Sequence, residues 1–220
     1  MAGVIMRDAL RLYVKQSPVI RLFVRIRHLL SPLEALENLV PKEGKVLDLG
    51  CGHGLFTNYM ALRSSSRSIL GVDPSPVKIK AAKITEPMVT NARYLLGSID
   101  DVAENSRFDV ITIVDVLYLL LEAEQQKILA ACHRLLAESG MLVLKTQDTR
   151  PRWRYWWTCA QESVMVGGGL THGNGLHFMP AERSREMLEE AGFTVTQHKL
   201  PSRIFYANIV FICRKEAEKD

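Results

Sequence analysis

Long apolar runs are missing from this chain of 220 residues. None approaches the ~18 residues that a membrane-crossing helix needs. The opening residues also lack the compact apolar stretch and small-residue cleavage site of a secretory signal, so a cytoplasmic setting is expected. Cysteine is scarce: Cys51, Cys132, Cys159 and Cys213 are the four, widely separated and never spaced as C-x-x-C. Neither a zinc site nor a disulfide framework is suggested, and no metal is expected. Repeats and low-complexity tracts are absent. At 47% hydrophobic and 24% charged, the composition fits one α/β domain with an appendage, long enough to bury a core without staples.

Acidic residues are nearly absent from the start. Residues 1–30 carry Arg7, Arg11, Lys15, Arg21, Arg25 and Arg27 against Asp8 alone, a net +5, while the whole chain is +4 and the other 190 residues therefore sum to −1. Arg7, Arg11 and Lys15 recur every four residues, one stripe on a helix, and Arg21, Arg25 and His28 repeat it after Ser17-Pro18, a natural cap and first turn. Apolar residues cover the rest. Such helices suit an interfacial membrane contact through residues 5–30, and equally a lid folded over a substrate mouth. The apolar share is too high for a phosphate-binding arm, so nucleic acid is not expected as a partner.

Beyond residue 40, short apolar strands alternate with helical patterns, the signature of a parallel sheet covered on both faces. Strands are predicted at residues 45–49, 68–72, 92–96, 109–114 and 141–145, and helices at 55–63, 76–83 and 122–135. A further helix over 181–191 ends at Gly192, and runs over 194–198 and 204–213 flank a Pro201-Ser202 turn. Residues 146–180 break the alternation, and a connection this long in a compact domain is usually functional.

The dinucleotide fingerprint G-x-G-x-x-G is also missing. Its place is taken by Val-Leu-Asp-Leu-Gly-Cys-Gly-His-Gly (46–54), with Gly50, Gly52 and Gly54 alternating and Asp48 two residues before the first. A carboxylate there would repel a diphosphate and suits a ligand with a positive charge. Glycines let the backbone turn sharply beside a ligand. Asp73, ending the next apolar run before Pro74, is placed to accept hydrogen bonds from ribose hydroxyls. Strand, glycine turn, helix and acidic strand end together describe a nucleoside pocket. In these residues the chain resembles the class I S-adenosylmethionine-dependent methyltransferases, from about residue 40 to its end. In its cap and terminal hairpin it also resembles uncharacterised bacterial methyltransferase-domain proteins.

The resemblance implies an α/β, Rossmann-like, seven-stranded sheet in the order 3-2-1-4-5-7-6. The last strand is antiparallel, helices lie on both faces, and residues 1–39 form an N-terminal helical extension to the 40–220 domain. It implies S-adenosylmethionine as cofactor, with Asp48 toward the methionine ammonium and Gly50, Gly52 and Gly54 beside the methionine part. Asp73 and Pro74 fall at the ribose, and Ser98 and Ile99 at the adenine, where the family often has Gly-Asp. Asp115 to Tyr118 fall around the sulfonium. His53 is read as a variable, solvated loop position. The Asn/Asp-Pro-Pro-Tyr/Phe motif of many base methyltransferases is replaced by Val-Asp-Val-Leu (114–117), which disfavours base methylation.

A cap over 146–180 would then bind a small-molecule or lipid-like acceptor, with Arg152, Arg154, Tyr155 and Trp156 as contacts through cationic and aromatic groups; the same residues also suit a helix that packs its aromatics on the sheet while its arginines reach water. Tyr118, His172 and His177 are the catalytic candidates, a histidine being suited to take a proton from a hydroxyl near neutral pH. Two other classes are compatible with the same pocket: a catalytically silent cofactor-binding partner protein, and a nicotinamide-dependent oxidoreductase, against which Asp48 and the glycine spacing speak.

Overall fold

Strict alternation along apolar strands sends successive side chains to opposite faces of a sheet, and here it creates two cores. The computed structural model describes residues 2–148, 177–200 and 208–215. In chain order its main elements are α1 (Ala2–Arg11), α2 (Pro18–Leu30), α3 (Leu33–Glu37), β1 (Gly44–Leu49), α4 (Leu55–Arg63), β2 (Arg67–Asp73) and α5 (Pro76–Lys83). They continue with β3 (Ala92–Leu96), β4 (Phe108–Val114), α6 (Glu122–Leu135), β5 (Leu136–Gln147), α7 (Ala181–Glu190), β6 (Phe193–Lys199) and β7 (Asn208–Lys215). The seven strands lie in the order β3-β2-β1-β4-β5-β7-β6. The first five are parallel, and β7 runs antiparallel to both β5 and β6. This is the Rossmann-like arrangement that the family resemblance implied.

Leu47, Leu49, Ile111, Ile113, Leu142 and Leu144 point to one face, where they meet Leu129 and Leu135 of α6 and Met187 and Leu188 of α7. Val46, Val110, Met141 and Val143 point to the other, where they meet Met6, Val24, Leu36, Tyr59 and Met60 of α1 to α4. The N-terminal helices thus complete a core. Met6, Ala9 and Tyr13 are fully buried, and truncating a buried methionine such as Met6 to alanine typically costs about 2–5 kcal/mol. By the same alternation Asp48, Thr112, Val114 and Lys145 fall on the face that these helices cover.

Local signals set the helix starts. Ser17 accepts from the Ile20 amide and Pro18 supplies the preset first turn of α2, and Ser75 and Pro76 do the same for α5. β5 starts earlier than expected, because Leu136 already pairs with Phe108 before the register shifts and regular pairing resumes at Met141. No helix among the described residues is long and apolar enough to cross a membrane.

At the amino-terminal edge of the sheet lies a buried charge cluster. Glu37 binds Arg67 and Arg63, each at 2.9 Å, and Lys42 at 2.5 Å. The Arg67 guanidinium also donates to the carbonyls of Val40, Pro41 and Met60, so a fully buried arginine is satisfied by hydrogen bonds, as burial demands.

Candidate cofactor and acceptor site

Five parallel strands end on one rim, and ligands of open α/β sheets bind outside those carboxyl ends. A cavity of about 700 Å³ opens there, lined by the β1–α4 loop, the ends of β2, β4 and β5, and the inner side of α2. That size lies within the range of small-molecule sites.

The glycine loop forms the floor. Its Gly50 and Cys51 amides donate to the Val72 carbonyl at 2.7 and 3.1 Å, tying it to β2. Gly52 has φ +58°, and a Cβ added there would meet no protein atom within 4 Å, so the backbone faces open cavity. Gly54 serves packing instead. It does not line the cavity, and a Cβ on it would collide with the Tyr94 ring.

Asp73 is buried at the end of β2. Its Oδ2 accepts from the Gly52 amide and its Oδ1 from the Ser75 amide, both at 2.9 Å. The carboxylate is fixed in orientation, yet each oxygen keeps acceptor capacity toward the cavity that it lines with Pro74. Ser98 and Ile99 stand across the same cavity. The Ser98 hydroxyl accepts from the Asp100 amide at 3.2 Å and lies 3.1 Å from Asp101 Oδ2, closing a short 3₁₀ turn.

Asp48 owes its environment to strand register. Thr112 lies opposite it on β4 and donates to Oδ1 at 2.8 Å, while Thr57 of α4 donates to Oδ2. Burial pushes its carboxyl up to about 6, against the two hydroxyls that favour the ionised form. A cationic ligand would restore full ionisation.

Asp115 has the one positive φ, 57°, among the described non-glycine residues. Burial alone would raise its carboxyl, but Lys145 and Arg27 outweigh burial and hold it below the usual range. Lys145 Nζ lies 2.5 and 2.6 Å from its two oxygens. Arg27 Nη2 lies 2.9 Å from Oδ2 and donates to the Val114 carbonyl at 3.1 Å, and Ser31 Oγ lies 3.4 Å from Oδ2. Asp115 lines the cavity, but its charge is already engaged. Neither Lys145 nor Arg27 was among the expected site residues. Their signals are present: Lys145 is the fifth residue of Met-Leu-Val-Leu-Lys, on the face of Met141 and Val143, and Arg27 follows Ile20, Phe23 and Val24 on the inward side of α2.

His53 departs from expectation. It is buried rather than solvated, and burial, with Lys78 second, pushes its imidazole down to about 4. Its ring packs on Phe23 of α2 at 4.8 Å. Its carbonyl accepts from the Tyr13 hydroxyl at 2.7 Å, and Nδ1 has no hydrogen-bond partner among the described residues. Tyr13 in turn accepts from Asn58, whose Oδ1 takes the Tyr94 hydroxyl at 2.8 Å. A buried chain of hydrogen bonds therefore links the segment after α1 to the glycine loop.

Tyr118 is buried on the rim, stacked on Phe178 at 4.4 Å, and its carbonyl accepts from the His177 amide at 2.6 Å. Two catalytic candidates are thus brought together. Tyr118 lines the main cavity, whereas His177 lines a small pocket behind it. His172, Arg152, Arg154, Tyr155 and Trp156 lie outside the described residues, as does most of the expected cap.

A nucleoside sulfonium fits these groups: open backbone at Gly52, a fixed carboxylate at Asp73, a buried carboxylate at Asp48, and apolar flanks at Leu49 and Ile99. Comparison with known proteins points the same way. A family described as the methyltransferase domain matches residues 20–198. An uncharacterized methyltransferase of Synechocystis is 31% identical over 167 residues, 75% of this chain and 74% of its own. The ubiquinone biosynthesis O-methyltransferase of Psychrobacter arcticus is 31% identical over 157 residues, 68% of this chain and 59% of its own, so this chain spans less than two thirds of that relative. Among solved structures, an O-methyltransferase from neocarzinostatin biosynthesis, in complex with S-adenosylmethionine and 2-hydroxy-5-methyl naphthoic acid, superposes with a TM-score of 0.66. It shares 15% identity over 88% of this chain and 55% of its own, a likeness of fold.

Proposed function

This chain belongs to the methyltransferase-domain family and is an S-adenosylmethionine-dependent methyltransferase, and we propose that its acceptor is a small, lipid-like molecule methylated on a hydroxyl oxygen. One observation carries the reading: the polar cofactor floor and an apolar wall share a single cavity. The wall is made by Phe23, Val24 and Leu30 of α2, by Leu33, and by Leu117, Leu119 and Ile128. Hydroxyl as the acceptor atom is supported by the ubiquinone biosynthesis O-methyltransferase relative, whose name states that chemistry for itself.

When bound, S-adenosylmethionine supplies a methyl group on a positively charged sulfur. The residues of this chain have three tasks. Asp73 and Asp48 fix the ribose and the ammonium. Phe23 and Leu30 keep water from the reacting centre, which strengthens every electrostatic contact inside. Tyr118, on the 3₁₀ turn after β4, orients the acceptor as a near-attack partner. The acceptor oxygen would gain the methyl as the methyl–sulfur bond of the cofactor breaks, and the hydroxyl would give up its proton to solvent.

The test is product identification. The full chain is incubated with methyl-labelled cofactor and a panel of apolar phenols, fatty acids, small amines and short RNA. Label in an ether on an apolar phenol is expected. Label carried only by the amines or the RNA overturns the proposal.

A further inference from the structure

A helix that carries apolar side chains on its outer as well as its inner side has a second surface to bury. The inner sides of α1 and α2 are already buried at Met6, Ala9 and Val24. Their outer sides, with the connection between them, carry exposed apolar residues among the basic ones. Val4 is 51% exposed, Val14 61%, Val19 62%, Leu22 60% and Leu29 56%. These are five of the ten large apolar side chains most exposed among the described residues, gathered within 26 positions. On α2, positions 22, 25 and 29 share one stripe by helical spacing. The exposed charges beside these residues are Arg7, Arg11, Lys15 and Arg25. The acidic Asp8 is half-buried and engaged by Arg11 at 3.0 Å.

We propose that the outer sides of α1 and α2 dock on an anionic lipid bilayer surface. Apolar side chains flanked by basic ones are what such a surface accepts, the former entering the acyl boundary and the latter meeting the headgroups. Soluble surfaces seldom gather exposed apolar residues in this way. Charge decides among occupants. A second copy of this chain would set Arg7, Arg11, Lys15 and Arg25 against the same four residues, whereas an acidic headgroup layer complements them. The same helix serves two sides: α2 lines the cavity with Phe23, Arg27 and Leu30 and turns Val19, Leu22 and Leu29 outward. A docked enzyme would hold its cavity wall one helix thickness from the lipid. The docking goes beyond the acceptor proposal and stands whichever acceptor is methylated.

The experiment is sedimentation of the full chain with phosphatidylcholine vesicles, with and without phosphatidylglycerol, at low and high salt. Two variants accompany it: Leu22→Glu with Leu29→Glu, and Arg7→Gln, Arg11→Gln and Arg25→Gln together. Melting temperature and S-adenosylhomocysteine affinity serve as folding controls, and both should stay unchanged. Binding is expected only with phosphatidylglycerol. It should weaken at high salt, by more than tenfold in the first variant and by roughly 100-fold in the second, at about 1 kcal/mol for each basic residue. The proposal is overturned if the wild type ignores anionic vesicles or if both variants bind as well as it does. It is also overturned if light scattering shows a dimer that Leu22→Glu with Leu29→Glu abolishes.

Discussion

Arg27, on an N-terminal helix, reaches Asp115 at the end of β4 with Nη2 2.9 Å from Oδ2. This contact joins the helix to the strand end beside the cavity. Lys145 holds the same carboxylate from β5, so three elements meet on one buried charge. Asp115→Ala should be the most damaging change in the site, because Lys145 loses its carboxylate while buried. A loss of about 3–5 kcal/mol is expected in urea unfolding. Arg27→Ala should cost less, about 1.5–3 kcal/mol, since Lys145 stays on both oxygens of the Asp115 carboxylate. Its larger effect should be kinetic: faster release of S-adenosylhomocysteine in stopped-flow displacement, with α2 no longer fastened to the strand end beside the cavity. Equal release rates in wild type and variant would contradict that role.

Asp48 predicts a pH dependence. Its folded carboxyl sits at about 6, above the ~3.9 of an unfolded aspartate, so the folded state grips the proton more tightly. Ionising it therefore costs stability, a cost that begins above the unfolded value and is complete above about pH 6. Ligand binding runs the other way, because an ammonium needs the ionised form. Affinity for S-adenosylhomocysteine should be flat above about pH 6 and fall up to roughly tenfold per pH unit below it. Asp48→Asn should flatten that profile, bind weakly throughout, and melt higher than wild type without ligand at pH 8. A wild-type profile flat down to pH 5 would contradict the reading.

Tyr13 predicts that the N-terminal segment has a structural role. Tyr13→Phe removes the donor to the His53 carbonyl and the acceptor for Asn58. Leaving buried polar groups without their partner should cost about 1–3 kcal/mol. Cofactor affinity should fall with it, since the glycine loop is what Tyr13 holds. Removing residues 1–30 uncovers Val46, Val110 and Tyr59 and should lower the melting temperature far more than the point change. A truncated protein as stable as the full chain would show that these helices do not complete the core.

Local chemistry was legible in the sequence and long-range charge pairing was not. The boundaries of α4, α5 and α6 fall where Gly54, Ser75-Pro76 and the apolar spacing put them. Asp48 and the glycine turn share the cavity because strand and turn are encoded within a few residues, and Asp73 joins them because the next parallel strand ends on the same rim. Arg67 with Glu37 and Lys145 with Asp115 are each 30 residues apart, so only the folded arrangement of helix and strands brings them together. His53 shows the same limit. Nothing local to Gly-His-Gly tells that Phe23 will cover the ring, and so it read as solvated.

The central claim is that Asp73 and the glycine loop hold S-adenosylmethionine, and isothermal calorimetry with S-adenosylhomocysteine on wild type and Asp73→Ala tests it most directly. Losing two charge-assisted hydrogen bonds should cost about 2–4 kcal/mol, or roughly 30- to 1,000-fold in affinity. Circular dichroism should show the variant folded, and NAD should give no heat with either protein. Equal affinity in the two proteins, or a preference for NAD, would contradict the account.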